Sequence, residues 1–200
     1  MKRYINPISV QEQIKSKNIR FFTPVEFQRM FHITSSRAKY YLETYTHMGL
    51  FARLKKGLYV MKNQFPSEEE IACMLYRPSY ISFEYALARH GIIPEMVYSI
   101  TSATTKPTRE FFTYNKEFVY LSIKKSSFTG YSLLKEGPSH YLMADPEKAF
   151  IDLLYFVSLG KRTIGDRLNT HNLKKEKAFQ YARLYKRQGL IKLVEKYDLK

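Results

Sequence analysis

Apolar residues between positions 21 and 47 recur at helical spacing, and two sets of helix signals divide them. In "FFTPVEFQRMFH" (21–32), Thr23 is a natural N-cap, Pro24 falls at the first helical position, and Glu26 completes a T-x-x-E capping box. Phe22 and Phe27 occupy the staple positions on either side of the cap. Val25, Phe27, Met30 and Phe31 supply the apolar side of this helix. A break at His32–Ile33 follows, with Thr34 as a second cap. From Ser35 to His47 the residues Ala38, Tyr41, Leu42, Tyr45 and Met48 form a stripe at spacings of three and four, and Gly49 marks the stop. "LFARL" and "GLYVM" then flank Lys55–Lys56–Gly57 as a hairpin with a basic tip. With an upstream helix at about Val10 to Lys17, residues 1–65 read as a winged helix-turn-helix domain.

The pattern restarts at residue 66. "PSEEEIACMLYRP" (66–78) carries an S-x-x-E box at Ser67 and Glu70, with Pro78 as a stop, and "SFEYALARHG" predicts a helix from Ser82 to His90. Residues 97–143 are rich in β-branched and aromatic side chains. "VYSIT", "FFTY", "EFVYLSI", "YSLL" and "HYLMA" predict four or five strands. "DPEKAFIDLLYFVSLG" (145–160) is a helix capped by Asp145, with Ala149, Phe150, Leu153, Leu154 and Val157 on one apolar face. The stretch from Leu173 to Tyr197 is helical and Lys-rich, broken near Gly189. The class is therefore α+β: the N-terminal domain, then a mixed α/β domain over residues 66–200 with an antiparallel or mixed sheet and basic C-terminal helices.

Charge changes this picture because it is unevenly spread. The net +15 divides into +9 over residues 1–66, −2 over 67–157 and +8 over 158–200. Two basic regions around a nearly neutral middle favour a polyanionic partner, since neutralised phosphates release condensed counterions. With 17 Tyr and 14 Phe the chain can fill a core, which excludes wholesale disorder. A single cysteine, Cys73, excludes an internal disulfide and fits a reducing, cytoplasmic setting. The longest apolar run, 149–159, is too short to span a bilayer and contains Asp152.

Enzymatic signals are weak. The glycines fall in no phosphate-loop pattern, and the five histidines share no i, i+4 spacing, so no metal or cofactor is expected. Asp145, Glu147 and Asp152 are the best acidic group, but Asp152 inside an apolar helix reads as a buried, hydrogen-bonded carboxylate. The helix at 35–47 is more informative. Ser35, Ser36, Arg37, Lys39 and Tyr40 occupy its first two turns and Thr44 follows, where a recognition helix meets base edges. Arg37 suits a bidentate contact with guanine, and Lys55 and Lys56 suit backbone or minor-groove contact. The expected partner is double-stranded DNA.

"LKKGLYV", "PSYISFEYALARHGIIPE", "VYSITSATTK" and "ADPEKAFIDLLYF", in this order, resemble the AbiEi family of bacterial type IV toxin–antitoxin systems over residues 20 to 160. The resemblance implies a transcriptional repressor that binds inverted repeats in its own promoter. It also implies an antitoxin that counters a nucleotidyltransferase toxin without a stable complex. The recognition role would fall on Ser35 to Thr44 and the wing role on Lys55 and Lys56. No Gly is followed by Ser, so the toxin's own signature is lacking and the chain reads as the antitoxin-like partner. The alternatives are a solitary winged-helix regulator, or a module that binds RNA or protein through residues 161–200, without a toxin partner.

Overall fold

The computed structural model describes residues 5–165 and 167–200, and the chain divides between Ser67 and Glu68 into two compact units. It is a mixed α+β structure. The N-terminal unit runs α1 (Pro7–Ser16), β1 (Phe21–Phe22), α2 (Pro24–Phe31), α3 (Ser35–His47), β2 (Phe51–Lys55), β3 (Leu58–Met61). The local reasons are those the sequence carries. Thr23 accepts from the Glu26 amide while the Glu26 carboxylate accepts from the Thr23 amide, closing the capping box on α2. Thr34 accepts from the Arg37 amide at the start of α3. His32, in the left-handed region at φ 50°, turns the chain between the two helices.

These helices pack on an antiparallel three-stranded sheet of order β1-β3-β2. The core is aromatic: Phe22 meets Phe27 and Phe51 at ring centroids of 6.0 and 5.0 Å, and Tyr45 meets Phe51 edge-on at 5.7 Å. Such pairs add about 0.5–1.5 kcal/mol each beyond area burial. Ala38, Tyr41, Leu42 and Tyr45 are buried as expected, whereas Met48 is 62% exposed and Val25 is 53% exposed. Val25 lies in the first turn of α2 and Met48 at the C-cap of α3, each at an end of its stripe. α1 begins three residues before Val10, because Asn6 caps it and Pro7 starts it.

The second unit holds a six-stranded sheet built from β4 (Ser79–Ile81), β5 (Ile100–Thr104), β6 (Arg109–Thr113), β7 (Lys116–Ser122), β8 (Tyr131–Glu136) and β9 (Ser139–Ala144), in the order β6-β7-β5-β4-β9-β8. β5 and β7 run parallel, as do β4 and β9; the other neighbours are antiparallel. Register places Tyr120 on the face of Ile81, opposite Tyr80. Tyr120 donates to Ala72 O in α4 (Glu68–Leu75) at 2.6 Å. Tyr80 donates to Asp152 in α6 (Pro146–Ser158) at 2.9 Å, so helices cover both faces. α5 (Phe83–Arg89), α7 (Lys175–Leu184) and α8 (Gln188–Val194) pack against α6.

Two expectations change here. Asp145 stands at the N-cap of α6 but its side chain makes no cap; it accepts from Tyr181 at 2.8 Å and pairs with Lys177 at 2.9 Å. The break expected near Gly189 is present just before it, at Tyr185–Arg187, with Lys186 at φ 49°. α6 is buried around most of its circumference, Glu147, Lys148 and Asp152 included. The tail is also part of the core, since Tyr185, Leu190 and Val194 have no exposed surface. Gly130, at φ +74°, lies so close under Tyr181 that a Cβ would come within 2.6 Å of the ring. Among the described residues, no helix is long and apolar enough to cross a membrane.

Candidate nucleic-acid interface

α3 turns its stripe inward and leaves a polar face outside. Ser36, Tyr40, Glu43 and His47 run down the middle of that face and all are exposed. Ser35 and Lys39 lie exposed toward one margin, and Arg37 and Thr44 lie half-buried toward the other. Thr34 Oγ1 and Ser36 Oγ are 3.2 Å apart, which ties the first exposed hydroxyl to the cap.

Arg37 is held in place. Its Nη2 donates to Tyr41 Oη at 3.4 Å and its guanidinium carbon lies 5.8 Å from the Tyr41 ring centroid. Tyr41 Oη also accepts from the Ile5 amide at 3.2 Å. Burial pushes this hydroxyl's pKa up, but the Ile5 amide and the Arg37 guanidinium outweigh it, and the pKa lies below the usual tyrosine value. Tyr40 is 61% exposed and meets Tyr41 edge-on at 5.4 Å; Phe31 packs instead on Phe27.

A basic cleft of about 630 Å³ opens where α1, α2 and the start of α3 converge. Lys17, Arg29, His32 and Arg37 line it, and none of its lining residues is acidic. Sequence reasoning singled out Arg37 and missed Lys17 and Arg29. No local signal marks them: Arg29 falls in the last turn of α2 and Lys17 follows the last turn of α1, and only the packing of the helices brings both beside the α2–α3 turn.

The hairpin places the other predicted pair. Lys55 pairs with Leu58 across a two-residue loop, Lys56–Gly57, in which Gly57 takes φ +80°. Lys56 is exposed and Lys55 half-buried, and exposed Arg53 stands opposite Tyr59 on the same hairpin. Within this unit exposed cations fall on α3, in the cleft and on the hairpin, and Lys15 on α1 and Lys62 just after β3 are exposed as well.

The acidic residues of α6 have different surroundings. Asp152 is fully buried and accepts from Tyr80 at 2.9 Å, Ser82 at 2.8 Å and Tyr185 at 2.5 Å, with Lys148 Nζ as a fourth donor. Burial depresses the Lys148 pKa, and the Asp152 carboxylate works against that shift. Tyr80 and Tyr185 are raised above the usual tyrosine value, chiefly by burial and then by Asp152. Tyr80 and Ser82 come from "PSYISFEYALARHGIIPE", Lys148 and Asp152 from "ADPEKAFIDLLYF". The two segments thus meet in one closed knot with no surface open to a substrate. Glu147 accepts from the Lys174 amide at 3.2 Å and pairs with Lys177 at 3.1 Å, so it ties α7 to α6.

No protein-family model matches the chain, and no curated protein matches it.

Proposed function

We propose that the N-terminal unit is a winged helix-turn-helix and that the chain is a sequence-specific DNA-binding repressor of the AbiEi antitoxin type. The observation that carries this reading is the group of cations at the start of α3, beside its open polar face. Lys39 and Arg37 flank that face, Lys17 and Arg29 join Arg37 in a cleft free of carboxylates, and Lys56 tips the hairpin. In this reading the order α1-β1-α2-α3-β2-β3, with strands β1-β3-β2, lets α3 enter the major groove while the β2–β3 hairpin rests on the adjacent backbone. Ser35, Ser36, Arg37, Lys39, Tyr40 and Thr44 then meet base edges and nearby phosphates. Lys55 and Lys56 grip the backbone, and Lys17 with Arg29 binds a phosphate beside Arg37. In this reading the partner is the protein's own promoter, the setting is the bacterial cytoplasm, and the functional counterpart is a nucleotidyltransferase toxin countered without a stable complex. The two longest segments that resemble the antitoxins, "PSYISFEYALARHGIIPE" and "ADPEKAFIDLLYF", contribute buried residues to the second unit, and the toxin role is taken from that likeness.

The test is selection of bound fragments from genomic DNA by the full chain. Recovery of its own promoter containing an inverted repeat supports autoregulation, and an Arg37→Ala variant is expected to recover a broader set of fragments. Fragments recovered without sequence preference would contradict the repressor reading.

A second reading has an observation of its own. Arg183, Lys186 and Arg187 line a cleft of about 270 Å³ at the α7–α8 break, again without an acidic lining residue. RNA held there would make the tail the main binding surface. Because Tyr185 and Leu190 are core residues, charge reversal at Lys186 separates the readings better than deletion of the tail.

A further inference from the structure

β4 and β9 pair at one register position, Ile81 with Met143. On the N-terminal side of that pair the strands part. The Leu142 amide, which another strand would otherwise satisfy, donates to Cys73 Sγ at 3.3 Å, and the thiol donates back to Leu142 O at 3.6 Å. The parting opens a cavity of about 370 Å³, within the size range of small-molecule sites.

Three features make this more than a gap. Ser79 lines the cavity, is 4% exposed, and its hydroxyl has no hydrogen-bond partner. A buried hydroxyl left in that state is costly, and a bound ligand atom would satisfy it. Arg77 and His140 stand exposed at the lip without an ion-pair partner among the described residues, and no lining residue is acidic. Two carboxylates stand behind the wall at Cys73, Glu69 and Glu70, and Glu70 is buried and accepts from the His140 amide at 3.4 Å. The apolar wall is already fixed, because Phe128 and Tyr131 pack on Tyr80 at centroid distances of 5.0 and 4.5 Å.

We infer that this cavity binds a small organic anion, an aromatic or aliphatic carboxylate. Its body lies against Phe128, Tyr131 and Leu133, and its head group takes hydrogen bonds from Arg77, His140 and the Ser79 hydroxyl. Charge selects an anion, and the size of the cavity selects a metabolite over a peptide or a nucleic acid. The site lies wholly in the second unit and does not depend on DNA binding by the first.

The experiment is a titration of the full chain with benzoate, phenylacetate and hexanoate, followed by amide resonances, with neutral benzamide as the control. At least one of the anions is expected to give saturable shifts centred on Ser79, Leu133 and Leu142, with benzamide about tenfold weaker. Arg77→Gln, at an exposed position, is expected to lose about tenfold in affinity while its spectrum stays dispersed. Ser79→Ala is expected to lose severalfold. No saturable shift from any of the three anions would overturn the inference. So would equal affinity for benzoate and benzamide, or an Arg77→Gln protein that titrates like the parent.

Discussion

The hydroxyl of Tyr185, at the end of α7, donates to the carboxylate of Asp152, in the middle of α6, at 2.5 Å with both residues fully buried. This bond joins the basic tail to the central helix, and the same carboxylate holds Tyr80 and Ser82 from the sheet side. The cluster has a hub, and its members are not equivalent. Asp152→Ala strands a buried ammonium and three hydroxyls, with an expected cost of about 3–5 kcal/mol in chemical denaturation. Lys148→Met leaves Asp152 with its three hydroxyl donors and is expected to cost less. Tyr185→Phe is expected to cost about 1–3 kcal/mol. A Lys148→Met protein less stable than Asp152→Ala would reverse the assignment of the hub.

Gly130 is set by the ring above it. Gly130→Ala demands a left-handed conformation from alanine and forces the new methyl into Tyr181. The expected result is a loss of about 1–3 kcal/mol, comparable with overpacking in a filled core. Adding Tyr181→Phe should recover little, because the ring carbons clash as well as the hydroxyl.

Cys73 offers a pH-dependent readout. Burial raises its thiol pKa from 9.0 to about 11, even though the Leu142 amide and Arg77 pull it down. Iodoacetamide at pH 8 should therefore modify Cys73 far more slowly than a free cysteine, with the rate climbing toward pH 11. The folded protein holds this proton to higher pH than the unfolded chain, so the thiol's contribution to stability is full below pH 9 and is lost as pH rises toward 11. Alkylation at pH 8 as fast as that of a model thiol would contradict the raised pKa.

Legibility in the sequence followed the range of the interactions. α2 and α3 could be read closely because cap, stripe and stop lie within one segment, as Thr34, Tyr41 and Gly49 do. β1 is two residues long and its phenylalanines carried a stronger helix-staple signal, so its pairing with β3 was invisible. β4 is three residues between Pro78 and the next helix, and its central place comes from partners 20 to 60 positions away. Asp145 had the local features of a cap, but Tyr181 and Lys177, distant in sequence, took its carboxylate. The polar face of α3 was legible from periodicity. The basic cleft was not, because Lys17, Arg29 and Arg37 converge only once three helix ends meet.

Hydrogen bonding to Tyr41 positions Arg37 before any ligand arrives, which should matter for discrimination. Tyr41→Phe is expected to leave the fold intact, cost about 1 kcal/mol in stability, and weaken binding to a preferred duplex more than binding to random DNA. Equal losses on both duplexes would assign Tyr41 to packing alone.

The most direct measurement is the salt dependence of binding to a duplex from the protein's own promoter, for the parent, Arg37→Ala and Lys55→Ala/Lys56→Ala. The double variant should lower affinity for promoter and random DNA alike and reduce the salt slope by about 2, one phosphate contact per lysine. Arg37→Ala should lose about 1–3 kcal/mol of preference for the promoter over random DNA. If both variants bind both duplexes with the parent's affinity and slope, the N-terminal unit is not the reading surface and the repressor proposal fails.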